Sequence, residues 1–239
     1  MNTRRRIPLS REQVIDTALK LMHEVGLDGL TTRRLAAELQ VQSPALYWHF
    51  SSKQELLDAM ADAILTSAGM GPPGEGEAWQ AWLLRRARSV RSSYLRYREG
   101  ARLVANARRL GPAVLQLLEA ELEAMVAASF TPALALRTIG ALSHYVTGFV
   151  LQEQSVGASG EVRSRTEGLS PEVDVTAFPL LLTAIRLGGS PVGDEAFEHG
   201  VQALIAGTEA ALAGELSDSS TPSSPRPPHA PTTARTPDR

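Results

Sequence analysis

The sequence predicts an all-α protein built from a small N-terminal domain and a larger helical one. Two observations carry the fold class. Apolar residues recur at spacings of three and four along most of the 239 residues, and alternating strand patterns are nearly absent. A third sets the division: "GMGPPGEGE" at 69–77 is too rich in Gly and Pro to continue a helix.

The first helix is predicted to start at Ser10, with Gln13 at the capping-box spacing. Val14, Ala18, Leu21, Met22 and Val25 form its inner face, and Gly26 is placed to end it. A short second helix is capped by Thr31 or Thr32 and buries Leu35, Ala36 and Leu39. "LQVQ" makes a brief turn. The third helix is expected to begin with Ser43 as N-cap and Pro44 at the first helical position. Ser51 and Ser52 limit its length, since Ser52 and Glu55 match a second capping box, for a helix carrying Leu56, Leu57, Met60 and Ile64 inward.

From Trp79 to about Leu212 the pattern is again helical, with breaks near Gly111-Pro112, Thr131-Pro132, 157–174 and Gly188–Gly193. The 157–174 stretch lacks apolar periodicity and is expected to be a mobile loop. From Ser217 onward Ser, Thr, Pro and Arg dominate, a composition that cannot bury a core and is expected to be disordered.

Several function classes are excluded by composition. There are no cysteines, so disulfides and thiolate metal sites are absent. No signal peptide opens the chain, and no run of about 18 apolar residues suggests a membrane span; a cytoplasmic location is expected. No phosphate loop, HExxH or GxSxG occurs. The histidines at 23, 49, 144, 199 and 229 have no metal-ligand spacing. No enzyme activity, cofactor or metal is expected.

The net charge of -2 points to no nucleic acid, but residues 1–53 hold eight Lys and Arg against five acids. Three short helices with a tight turn between the second and third describe a helix-turn-helix. In that arrangement Gln42, Ser43, Pro44 and Ala45 point into a major groove, and Tyr47 and His49 lie along its phosphate walls. Leu46 and Phe50 pack back on the domain, while Trp48 is open to domain packing or a backbone contact. Lys53 adds a cation beside free helix-start amides.

"GLTTRRLAAELQV" followed by "PALYWHFSSKQELLDAM" resembles the DNA-binding domain of the tetracycline-repressor family of bacterial transcription regulators. "GEGEAWQAWL", "YREGAR", "ALSHYVTGFVLQEQ" and "FPLLLTAI" are similar to segments of that family's ligand-binding and dimerisation domain. The resemblance covers residues 8 to about 212. It implies a helix-turn-helix domain over 8–68 (motif about 31–50), an effector and dimer domain over 77–213 and a disordered tail over 214–239. Thr32 and Arg33 match the start of the second helix, where an arginine of the family reads a guanine, a role suited to a bidentate fork. Tyr47, Trp48, His49 and Lys53 match backbone and groove positions, and Gln42, Ser43, Pro44 and Ala45 the base-reading start. Ser43 replaces a glutamine, so a different operator is expected.

The resemblance also assigns ligand positions. His144 matches one histidine of the pocket, while Gly69 and Val104 replace two others and Gln152 replaces a glutamate. These changes remove a hard-cation site, so magnesium–tetracycline binding is not expected. Val104, Arg108, His144 and Gln152 are the candidate contacts for another, largely apolar, small molecule. The implied partners are double-stranded operator DNA, that effector and a second copy of the chain. The dimer is expected as a four-helix bundle of the 132–153 and 192–212 helices, with Leu136, Ile139, Phe149, Val201, Leu204, Ile205 and Leu212 among its apolar positions. A small-molecule sensor or carrier with little specific DNA binding is the alternative.

Nine arginines fall within residues 85–109, with Glu99 the sole acid. They read either as a site for an anion or as a solvated face paired with the acids of "EAELEA" at 119–124. Trp79 and Trp82, three apart, read as core.

Overall fold

A computed structural model of the chain describes residues 9–158, 177–188 and 191–219. The expected mobile loop, from 159 to 174, and tail residues 220–239 lie outside the described residues. Among the described residues all regular structure is helical: α1 (Arg11–Gly29), α2 (Thr32–Glu38), a 3-10 helix (Ser43–Trp48), α3 (Lys53–Thr66), α4 (Trp79–Leu95), α5 (Gly100–Ala105), α6 (Pro112–Ala127), α7 (Pro132–Ala158), α8 (Pro179–Gly188) and α9 (Asp194–Ser219).

The caps follow the sequence closely. Ser10 Oγ accepts the Gln13 N–H at 3.1 Å, and Gln13 Oε1 accepts the Ser10 N–H at 3.0 Å, a complete capping box. Thr31, rather than Thr32, caps α2 by accepting the Arg34 N–H. Gly26 interrupts α1 instead of ending it: its φ of +74° kinks the helix, and the chain runs on to Gly29. Ser52 Oγ accepts the Glu55 N–H, but the reciprocal half of that box is missing. Glu55 Oε2 turns to Ser51 instead and accepts both its N–H and its hydroxyl at 2.7 Å.

The third helix departs most from expectation. It is a six-residue 3-10 helix, and its N-cap is Gln42, not Ser43, with no side-chain cap bond. Ala45 N–H donates to Gln42 O and His49 N–H to Leu46 O, the i→i−3 pattern of that helix. A segment this short, with a proline donating nothing and serines beginning the next helix, gains little from α-helical bonding. The turn before it holds Gln40 at φ +54°, and Val41 N–H returns to Ala36 O at 2.9 Å, fixing the entry into the 3-10 helix.

Burial explains the arrangement. Val14, Ala18 and Met22 of α1 meet Leu35, Leu46, Phe50, Met60 and Ile64, all nearly or fully buried. The 69–77 break is a tight turn and not a loose tether. Gly71 O accepts the Trp82 indole N–H at 2.9 Å, and Gly71 N–H donates to Glu121. Helix α3 packs onto α4, α5 and α6, so one apolar core runs through both halves.

Helix α7 is long and apolar enough over Pro132–Ser155 to match a membrane span by length and hydropathy. Here it packs against α4, α5, α6 and α9 and buries Leu134, Ala135, Ile139, Leu142, Val146 and Val150. This alters the expected dimer face. Ile139, Val201 and Leu212 are buried within the subunit, and Phe149 joins Tyr145 and Phe197 in an aromatic cluster. Apolar spacing marks the face a helix buries first, and that face is internal. The outer face of α9 carries small residues, Ala203, Ala206, Gly207 and Ala210. Helix α9 also runs through Ser219, so residues 214–219, expected in the tail, are helical.

Candidate nucleic-acid interface and effector cavity

The N-terminal surface gathers residues that lie far apart in sequence. Thr32, at the first position of α2, lines one shallow cleft with Tyr47, Ser52 and Lys53. Arg33, Gln42, Pro44, Tyr47 and Lys53 are exposed, and Ser43, Ala45 and His49 are half-buried. Trp48 is 89% exposed, so of its two roles domain packing is ruled out. Phe50 is 4% exposed and anchors the segment with Leu46, as the spacing predicts.

Arg11 fixes this presentation. Its guanidinium lies 4.1 Å from the Phe50 ring centre, pairs with Glu55 at 3.1 Å and donates to the His49 carbonyl. One side chain of α1 therefore holds the end of the 3-10 helix and the start of α3. Glu55 responds electrostatically. The Ser51 hydroxyl and N–H, then Arg11, hold its carboxyl down from the usual 4.5 to about 2. Arg34 is occupied locally, donating to Gly29 O at 3.3 Å, whereas Arg33 has no described hydrogen bond or ion pair and projects outward.

In the larger domain a cavity of about 580 Å³ opens among α3 to α7. Val104 and His144, two of the four predicted ligand positions, stand on its wall. Arg108 and Gln152 do not: both side chains are exposed, and Arg108 contributes its backbone N–H to Asp58 at 2.9 Å. His144 is exposed at this wall and is no satisfied core histidine. Most of the wall is apolar, including Leu65, Val90, Leu110, Val114, Ile139 and Leu151.

Sequence reasoning missed the polar part of that wall: Arg86, Tyr94, Ser143 and Thr147. Burial pushes the Tyr94 phenol up, against the pull of the Thr147 hydroxyl and the nearby Arg86 charge. Arg86 is four residues from buried Trp82 and from Val90, a helical spacing that could have identified it as inward-facing. Most of the arginine run is paired, but Glu121 is its sole partner here from the 119–124 stretch. Arg85 pairs with Glu77, Arg86 with Glu121, Arg88 with Glu198, Arg91 with Glu153 and Asp194, and Arg102 with Asp28 and Glu99.

Comparison with known proteins gives consistent results over both halves. Residues 14–60 match the family described as bacterial regulatory proteins, tetR family, and residues 72–212 match the tetracyclin repressor-like C-terminal domain. The chain is 39% identical over 209 residues to the tetracycline repressor protein class D of Escherichia coli, covering 87% of this chain and 93% of that one. Among solved structures, a TetR variant from Acinetobacter baumannii in complex with minocycline is similar at 37% identity with a TM-score of 0.66, covering 85% of this chain and 98% of that one. ActR of Streptomyces coelicolor in complex with actinorhodin is similar at 30% identity with a TM-score of 0.74, covering 85% and 97%.

Proposed function

Because the chain belongs to the tetR family of bacterial transcription regulators, we propose that it represses transcription as a homodimer on a palindromic operator and is released by a small, largely apolar effector. The observation that carries this reading is the pairing of an outward-facing helix-turn-helix with a separate apolar cavity in one continuous core. Thr32, Arg33, Gln42, Ser43, Pro44, Ala45, Tyr47, Trp48, His49 and Lys53 are the proposed DNA contacts. Arg33 suits a guanine, and Lys53 suits a phosphate.

The proposed dimer joins α7 and α9 of two subunits through the outer faces left free by the internal core. The 3-10 helices would then enter successive major grooves about 34–36 Å apart. An effector need only prefer the non-binding spacing. About 3 kcal/mol of differential affinity gives roughly 150-fold release. The effector site is the cavity lined by Val104 and His144. A magnesium–tetracycline chelate is a poor match to it, since Val104 offers no ligand atom to the cation.

Selection of bound fragments from a random DNA pool tests the reading. A two-fold symmetric consensus is expected. Binding with no consensus would overturn operator recognition and favour a sensor or carrier.

A further inference from the structure

The effector cavity has one permanently charged side chain in its wall, Arg86, and that side chain is 3% exposed. Its Nε donates to Glu121 Oε1 at 2.8 Å, and its Nη1 reaches Ser143 Oγ at 3.4 Å, too long to be strong. A guanidinium has five N–H donors. The described bonds therefore leave donor capacity on a group that faces the cavity.

Glu121 lies behind Arg86 and is fully buried. Its Oε1 also accepts the Gly71 N–H at 3.0 Å, while its Oε2 has no hydrogen-bond partner. The pair is neutral as a unit. An anionic effector would place a third charge beside a buried carboxylate already short of donors, inside a mostly apolar wall. A cation would face Arg86 directly. A neutral acceptor meets neither penalty and uses the unspent donors.

We infer that the effector is an uncharged, largely apolar molecule bearing a carbonyl-type oxygen, and that Arg86 selects it by donating to that oxygen. This rests on the proposed effector role of the cavity. The charge comes from Arg86, the neutrality from Glu121, and the remaining affinity from apolar wall residues such as Val90 and Val114. The cavity volume of about 580 Å³ suits a molecule of two or three fused rings.

The test uses three probes of nearly one shape: fluorene, 9-fluorenone and fluorene-9-carboxylate. Each is titrated calorimetrically into the full chain. The ketone is expected to bind about tenfold or more tighter than both the hydrocarbon and the carboxylate. In the R86M/E121M double variant, which removes both charges together and leaves neither buried alone, the ketone should lose its advantage over fluorene while circular dichroism stays unchanged. Equal binding of ketone and hydrocarbon by the unmodified protein overturns the role of Arg86 but leaves the cavity an effector site. Tightest binding of the carboxylate overturns the neutral class. A ketone preference that survives in the folded double variant assigns the donor elsewhere. If no probe binds, the cavity is not an apolar effector site, and the proposed function loses that part. If the double variant does not fold, the three affinities of the unmodified chain still decide the neutral class, and R86K, which keeps the charge beside Glu121 but removes the guanidinium fork, reads the role of Arg86: an undiminished ketone preference there overturns it.

Discussion

Glu99 accepts the backbone N–H of Leu27 at 2.6 Å, joining the larger domain to the last turn of α1. Gly26 makes the bond possible. Its φ of +74° and ψ of 171° turn the following N–H out of the helix, and Glu99 meets it from a residue itself at φ +59°. Arg102 reinforces the junction with two 3.0 Å bonds to Asp28 and one to Glu99. Burial raises the Glu99 carboxyl, but the Leu27 N–H and Arg102 outweigh it and hold it below its usual value.

Gly26→Ala should therefore destabilise the protein by about 1–3 kcal/mol. A side chain there is strained by the positive φ, and its Cβ would sit 2.8 Å from Glu99 Oε2. Urea unfolding measures the change, and a loss below about 0.5 kcal/mol would mean the junction relaxes freely.

Arg33→Ala should cost roughly 1–3 kcal/mol at the selected operator and relax specificity at one base pair, with much less effect on random DNA. Lys53→Ala should weaken binding to both about equally and reduce the salt dependence by about one unit of slope. Fluorescence anisotropy over a salt series measures both. An equal loss on operator and random DNA for Arg33→Ala would remove its base-reading role.

The Glu55 cluster makes the N-terminal domain acid-sensitive in a defined window. The folded carboxyl titrates near 2, below its usual 4.5. Its contribution is thus fully present above about pH 4.5 and is lost as pH falls toward 2. Urea midpoints between those values should decline less steeply for Glu55→Gln than for the unmodified chain. Parallel slopes would show that Ser51 and Arg11 do not hold the carboxylate in solution.

Tetracycline with magnesium should leave the protein–operator complex intact in a gel-shift titration. Val104 supplies no ligand atom to a hard cation. Release at tetracycline concentrations comparable with the protein's would show that other groups complete the chelate site.

The sequence made the DNA-facing half largely legible. Caps at Ser10, Thr31 and Ser52, apolar residues at helical spacing, and the buried pair Leu46 and Phe50 are local signals, and each depends on neighbours within about four residues. The ligand half was legible only in outline. Of the four positions that the resemblance marks, Val104 and His144 stand on the cavity wall, and Arg108 and Gln152 do not.

By itself the sequence determined the helical class, the order of the elements and which residues of the third helix are buried, because capping and amphipathic burial are short-range and leave their period in the chain. Only the tertiary structure decided that the third helix is 3-10, that Ile139, Val201 and Leu212 face their own subunit, and that Arg86 stands on a cavity wall paired with Glu121. These depend on which helix lies opposite. Helical spacing from Trp82 and Val90 turns Arg86 inward, but its partner there, Glu121, lies 35 residues away, and no local spacing records that encounter.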